Sequence, residues 1–320
     1  MEQLISRLRY FPVSLFTATM GLIGLALVAQ HGARTWSFPV WIGQILLGVA
    51  TVVFAVATAL YLTKTLRHKD ALVAELKHPV MISFFPAFSI SLLLLAAAFL
   101  DIHSMASRTL WAAGVVFQSV LTLWVVSSWI GDNRYKIEHV NPSWFLPAIG
   151  NVLIPIAGMR LYPAEVSWFF FSIGIVLWLV LLTIVFYRMV FYPALSSRLV
   201  PTICILMAPP AAAFLGYINL VGGVDPFAHV LYYTALFMAL LVVLQYQLFL
   251  QLRFTSSWWA LAFPLAVVTL ATMRFYELLH WPFSKELAAV LCVLLVAVIL
   301  LLIVLTLRAA IRNELLVPED

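Results

Sequence analysis

Thirteen carboxylates, seven histidines and two cysteines are the side chains of this 320-residue sequence best able to move protons, ligate metals or form covalent intermediates. The carboxylates all fall in loops or at the ends of long apolar runs: Glu2, Asp70, Glu75, Asp101, Asp132, Glu138, Glu165, Asp225, Glu277, Glu286, Glu314, Glu319 and Asp320. Proton-coupled carriers relay protons through buried acids, and cation channels often use acidic rings. Neither is available here. The histidines (His31, His68, His78, His103, His139, His229 and His280) also sit at run ends, so a helical b-type haem site lacks its buried pair. Cys204 and Cys292 lie inside apolar runs, which disfavours a disulfide framework or thiolate metal centre. With no nucleotide loop, zinc signature or supportable triad, we expect no catalytic residue, no metal site and no cofactor.

What remains is a chain built to sit in lipid. Hydrophobic residues make up 64% and charged residues 10%, against about 45–50% and 25% in ordinary globular proteins. Mean hydropathy is +1.07. The apolar runs have the length of bilayer-spanning helices, twice that of barrel strands. The sequence predicts ten spans, near 11–29, 41–63, 80–100, 109–130, 143–159, 164–187, 203–221, 228–249, 258–275 and 286–307. The first is long for a signal-peptide core and lacks a clear A-x-A site, so it is read as retained. The net charge of +5 is spread over loops rather than gathered in a patch, which argues against nucleic acid as a partner.

The basic residues orient the chain. Arg7, Arg9, Lys64, Arg67, Lys69, Lys77, Arg134, Lys136, Arg188, Arg198, Arg253, Arg308 and Arg312 fall on one side. Arg34, Arg108, Arg160, Arg274 and Lys285 fall on the other. The richer side is expected to be cytoplasmic and to hold both termini: a short segment 1–10 and a tail 308–320, flanking one transmembrane channel domain over 1–320.

Proline placement is periodic. Pro12, Pro86, Pro147, Pro209 and Pro264 fall in the odd-numbered spans at intervals of 74, 61, 62 and 55 residues, while the even spans as drawn contain none. This reads as five helical hairpins, each a kinked helix followed by an intact one. A proline removes a backbone hydrogen bond and bends a helix. In lipid the freed carbonyl needs protein or a water-filled cavity beside it. The expected fold is therefore all-α, quasi-fivefold around a central pore lined by the kinked odd helices. Its walls would be aromatic, aliphatic and small polar groups, with basic residues at the mouths raising local anion concentration.

The stretch SSWWALAFPLAVVTLATMRFYE (Ser256 to Glu277) resembles the plant guard-cell slow-type anion channels. It also resembles bacterial tellurite-resistance protein A, in the tellurite-resistance/dicarboxylate transporter family. ELKHPV (Glu75 to Val80), NPSWFLPAIGN (Asn141 to Asn151) and LMAPPAAAF (Leu206 to Phe214) agree in the right order. The resemblance covers essentially all ten spans, but not the long cytoplasmic extensions of the plant proteins, so control through such tails is not carried over. It implies five hairpins around a pore, a homotrimer, and a phenylalanine gate just before a proline or glycine in the ninth span. By motif the gate is Phe263. Phe11 and Phe85, which also precede prolines, could line further constrictions. Asn151 could line the pore, cap a helix or make an interhelical hydrogen bond. The expected activity is passive flow of chloride, nitrate and similar monovalent anions across a bacterial inner membrane. The alternative is a secondary transporter or exporter of dicarboxylate, sulfite or tellurite-related anions.

Overall fold

The computed structural model describes residues 7–250, 252–312 and 314. The remaining parts of the two expected terminal segments, residues 1–6, 313 and 315–320, lie outside the described residues. Among the described residues, ten helices are long and apolar enough to cross a membrane: Val13–Thr35, Val40–Arg67, Met81–Phe99, Ser104–Gly131, Pro142–Leu161, Ala164–Phe191, Val200–Val221, Pro226–Leu244, Ser256–Leu279 and Pro282–Ile311. They are called spans 1 to 10 below. No strand occurs among the described residues. This is a multi-pass, all-α membrane protein.

Odd and even spans differ sharply in burial. In spans 1, 3, 5, 7 and 9, 72–83% of the most apolar window is buried within the protein; in the even spans the share is 22–33%. Each odd span packs on the even span that follows it, which makes five hairpins. Among themselves the odd spans touch in the order 1, 3, 5, 7, 9 and back to 1, closing a ring. The even spans stand outside, presenting rows such as Val49, Val52 and Val56 or Val116, Val120 and Leu123 outward. On a water-soluble protein so large an exposed apolar surface would mark a binding face or an aggregation hazard; here it matches lipid.

The prolines act differently from the kink that the sequence suggests. Spans 1, 3, 5, 7 and 9 each open with a 3-10 segment (Val13–Leu15, Met81–Phe84, Pro142–Phe145, Val200–Met207 and Ser256–Leu261) before turning α-helical. Pro86, Pro147, Pro209 and Pro264 occupy the first turn of the α-helical part, and Pro12 precedes the 3-10 turn of span 1. First-turn N–H groups have no intrahelical acceptor, so proline fits there without loss. Each break is thus marked by a change of helix type. Only Pro155, between Leu146–Leu153 and Pro155–Leu161, divides one α-helix from another within a span. The five 3-10 segments also contact one another in a closed sequence, forming a second ring at one end of the first.

Spans 2, 4, 6 and 10 run longer than the sequence suggests, whereas span 8 is shorter, at 19 residues. Spans 2, 4 and 6 have 28 residues each, about 42 Å at 1.5 Å per residue, which reaches through the headgroups as well as the hydrocarbon. A helix keeps its backbone bonds in either medium, so hydropathy alone does not mark its end. Lys64, Arg67 and Arg188 consequently belong to last helical turns rather than to loops, and Arg308 to the end of span 10. Between spans 2 and 3 lies a short amphipathic helix, Lys69–Lys77, unforeseen because it is polar and only nine residues long.

Glycines permit the tightest approaches within the ring. A Cβ at Gly24 of span 1 would sit 2.6 Å from the Ala266 Cβ of span 9. One at Gly216 of span 7 would overlap the Val152 carbonyl oxygen of span 5. Small residues let membrane helices approach backbone to backbone, where dispersion replaces the missing hydrophobic drive.

Candidate functional site

A cavity of about 550 Å³ opens at the end of the ring opposite the 3-10 segments. All five odd spans contribute to its wall, among them Leu27, Leu94, Leu153, Leu215 and Val267. The wall is mostly aliphatic. Polar side chains gather at the rim: Gln30, His31, Arg34, Asp101, Arg160 and Arg274.

On span 9 the lining residues are Ala266, Val267, Leu270 and Arg274. Positions three and four apart share a helix face, so Phe263 lies one turn below Val267 on that face. Phe263 is the second residue of the α-helical part and is 2% exposed. One turn below the lining residues Gly24, Leu94, Leu153 and Leu215 come Met20, Ile90, Ile149 and Ala211, each 1% exposed or less. Each odd span thus carries a buried side chain one turn below the lining, and the phenylalanine is the largest of the five. Among the described residues Phe263 enters no ring–ring contact, unlike the aromatic cluster of Phe214, Tyr232 and Phe275 nearby in the core.

The other sequence candidates point elsewhere. Phe11 packs against Tyr61 of span 2 at 6.5 Å between ring centres. Phe85 packs against Tyr61 at 6.4 Å and Trp124 of span 4 at 5.6 Å. Both rings thus touch aromatic side chains of the outer helices. Asn151 is buried, and its amide donates to Thr122 Oγ1 of span 4 (3.0 Å) and to the Pro147 carbonyl (2.7 Å). Of its three possible roles, the interhelical hydrogen bond is the one found.

That bond belongs to a network the sequence reading missed. Gln118 of span 4 is fully buried. It accepts from the Ser89 hydroxyl at 2.6 Å and donates to Thr122 Oγ1 at 3.0 Å and the Pro147 carbonyl at 2.9 Å. Spans 3, 4 and 5 are thereby tied at mid-membrane depth, where an unpaired amide would be expensive. The available signal was a glutamine in the middle of an apolar run.

Ion pairs decorate the rim. Asp101, just beyond span 3, accepts from Arg34 Nη2 of span 1 at 2.5 Å and from Arg160 Nη1 of span 5 at 2.7 Å. The Arg34 hydrogen bond, ahead of the Arg160 pair, holds the Asp101 carboxyl below the ordinary carboxylate range. It stays ionised at neutral pH, so the charge it brings to the mouth is constant there. Arg274 pairs with Glu277, whose other oxygen accepts from Thr35 Oγ1 at 2.5 Å. Three guanidiniums thus face two carboxylates, an excess of positive charge over a mostly apolar well.

The opposite end carries a buried pair. Lys64 Nζ lies 2.9 Å from Glu75 Oε1, the side chains 2% and 13% exposed. It also donates to the Phe11 carbonyl at 2.7 Å. Glu75 accepts from Tyr61 Oη at 2.7 Å and the Val13 N–H at 3.2 Å. The amphipathic helix is thereby fastened to the start of span 1.

A family model described as voltage-dependent anion channel matches residues 10–307. The chain belongs to that family. It is similar to an uncharacterized transporter of Methanocaldococcus jannaschii, 28% identical across 85% of this chain and 87% of that protein. The S-type anion channel SLAH3 of Arabidopsis thaliana is 27% identical across 98% of this chain and 50% of its own length. The guard cell S-type anion channel SLAC1 of the same plant is 25% identical across 97% and 58%. Family membership agrees with the ten-span, all-α architecture and with the resemblance read from span 9. The relatives' names are those of anion channels and of a transporter, and the family places this chain in anion transport.

Proposed function

We propose that this chain is a passive channel for monovalent anions such as chloride and nitrate, closed at rest by Phe263. The observation that carries the reading is the cavity: its wall draws on all five odd spans and is aliphatic below a positive rim, with Phe263 buried one helical turn below its span 9 lining. A ring of five odd spans around one axis would give a quasi-fivefold pore, with Pro12, Pro86, Pro147, Pro209 and Pro264 marking where each inner helix changes type. An apolar side chain at a narrow point blocks ions by bulk and by dewetting. A coupled carrier of dicarboxylate, sulfite or tellurite-related anions would need a titratable or ion-coupling group inside the path. Among the described residues the one carboxylate lining the cavity is Asp101, at its rim. Current recordings on the purified protein in planar bilayers, with ion substitution, test the proposal.

Selectivity should follow dehydration cost. With a neutral wall, weakly hydrated nitrate is expected to permeate at least as well as chloride. Reversal potentials in mixed nitrate and chloride measure this. A preference for sodium or potassium, or obligatory proton coupling, would overturn the channel reading.

The assembly is expected to be a homotrimer of separate pores in a bacterial inner membrane, with both termini on the lysine- and arginine-rich cytoplasmic side. The reading is supported by the resemblance and by the apolar outer faces of the even spans, some of which would pack on neighbouring copies. Native mass spectrometry from mild detergent should give three copies per particle. A clean monomer in every lipid and detergent tried would argue against it.

A further inference from the structure

The Asp101 bridge at the cavity mouth has the geometry of an occupied anion site. One carboxylate takes a hydrogen bond on each of its oxygens, from guanidiniums on two different inner spans: Arg34 on Oδ2 and Arg160 on Oδ1. All three residues line the cavity. The pairs are exposed, with side-chain accessibilities of 60% and 58% for the arginines and 41% for the aspartate. Exposed ion pairs contribute only about 0–1 kcal/mol each, so solutes can compete for the arginines. Guanidinium N–H groups match the planar, two-oxygen shape of a carboxylate far better than they match a sphere. Arg274 faces the same cavity and is already satisfied from its own helix by Glu277. It adds positive charge without taking part in the bridge.

We infer that Arg34 and Arg160 form an external recruitment site for small planar oxyanions, such as monocarboxylates, bicarbonate and nitrate, and that Asp101 is its built-in competitor. An arriving oxyanion places one oxygen on each arginine, as Asp101 does, and the displaced carboxylate turns to water. A halide offers one spherical centre and so does not present a separate, directed oxygen to each arginine. The bridge therefore raises the concentration at which oxyanions fill the mouth while affecting chloride less. The inference rests on the anion-channel reading and adds a ligand class to it.

Formate and chloride are the probes. In the Phe263→Ala background, bilayer currents are measured against external formate and, separately, external chloride, in otherwise full-length protein. Asp101→Asn should lower the half-saturating formate concentration by roughly fivefold, the factor equivalent to about 1 kcal/mol of relieved ion pairing. It should lower the chloride value distinctly less. Arg34→Gln combined with Arg160→Gln should raise the formate value more than the chloride value. Equal shifts for both anions, or none, would reduce Asp101 to a staple between helix ends and overturn the site. A second readout needs no conduction: purified Asp101→Asn protein should gain thermal stability saturably with formate. It should gain less with chloride at equal ionic strength, and the gain should vanish when both arginines are replaced. Absence of current with a formate-specific stability gain would sink the channel reading and leave the site standing. Current without formate discrimination in either readout would do the reverse. Asp101→Ser serves if the asparagine variant does not fold.

Discussion

Replacing Phe263 by alanine is expected to convert a poorly conducting protein into a strongly conducting one. Phe263 lies one helical turn below Val267 on the face that lines the cavity, as buried Met20, Ile90, Ile149 and Ala211 lie one turn below lining residues of the other odd spans. Truncation removes the bulkiest of these side chains and leaves a methyl group in its place, beside a methionine, two isoleucines and an alanine. A buried phenylalanine in a packed core costs about 3–5 kcal/mol when cut to alanine, because the cavity stays empty. A ring at a pore constriction should cost less, since water enters the space. The variant should therefore stay folded and assembled while its current rises. Phe263→Leu should be intermediate, retaining bulk without the flat ring. A folded Phe263→Ala protein with unchanged conductance, or one that misfolds, would make Phe263 a packing residue.

The second large effect concerns stability. Lys64→Met should destabilise the protein by on the order of 3–5 kcal/mol, the range seen when one partner of a buried ion pair is removed. The lysine head is enclosed between Glu75 and the Phe11 carbonyl. Without it Glu75 keeps the Tyr61 hydroxyl and the Val13 N–H but loses its counter-charge. Adding Glu75→Gln to Lys64→Met should recover most of the loss, because a neutral amide no longer needs the cation. Thermal unfolding in one detergent across the two single variants and the double variant measures the coupling. Additive losses would mean that the pair does not act as a unit.

Much of the architecture is legible in the sequence because lipid imposes strong rules. Ten apolar runs mark ten spans, and the odd-span prolines separate the inner set from the outer one. Side-chain direction is not legible in the same way. Phe11-Pro12, Phe85-Pro86 and Phe263-Pro264 look alike as dipeptides. Phe11 precedes a 3-10 turn and Phe85 sits at the junction before its α-helix, whereas Phe263 is already inside one. A 3-10 helix advances about 120° per residue and an α-helix about 100°. A face read forward through such a junction is therefore rotated, and Phe11 and Phe85 have ring contacts with outer helices that Phe263 lacks. Gln118 shows a second limit. Its polarity is visible in span 4, but its partners Ser89, Thr122 and the Pro147 carbonyl come from three different spans. Likewise, nothing in the spacing of Arg34, Asp101 and Arg160 places them on one rim.

The central claim is that an anion pathway runs through the ring of odd spans and that Phe263 closes it. The most direct measurement is the zero-current potential of purified Phe263→Ala protein in a planar bilayer under a sodium chloride gradient, alongside the unaltered protein. The account predicts a large current in the variant that reverses close to the chloride equilibrium potential, and a far smaller current in the unaltered protein. A reversal near the sodium potential, or variant currents no larger than those of the unaltered chain, would contradict it.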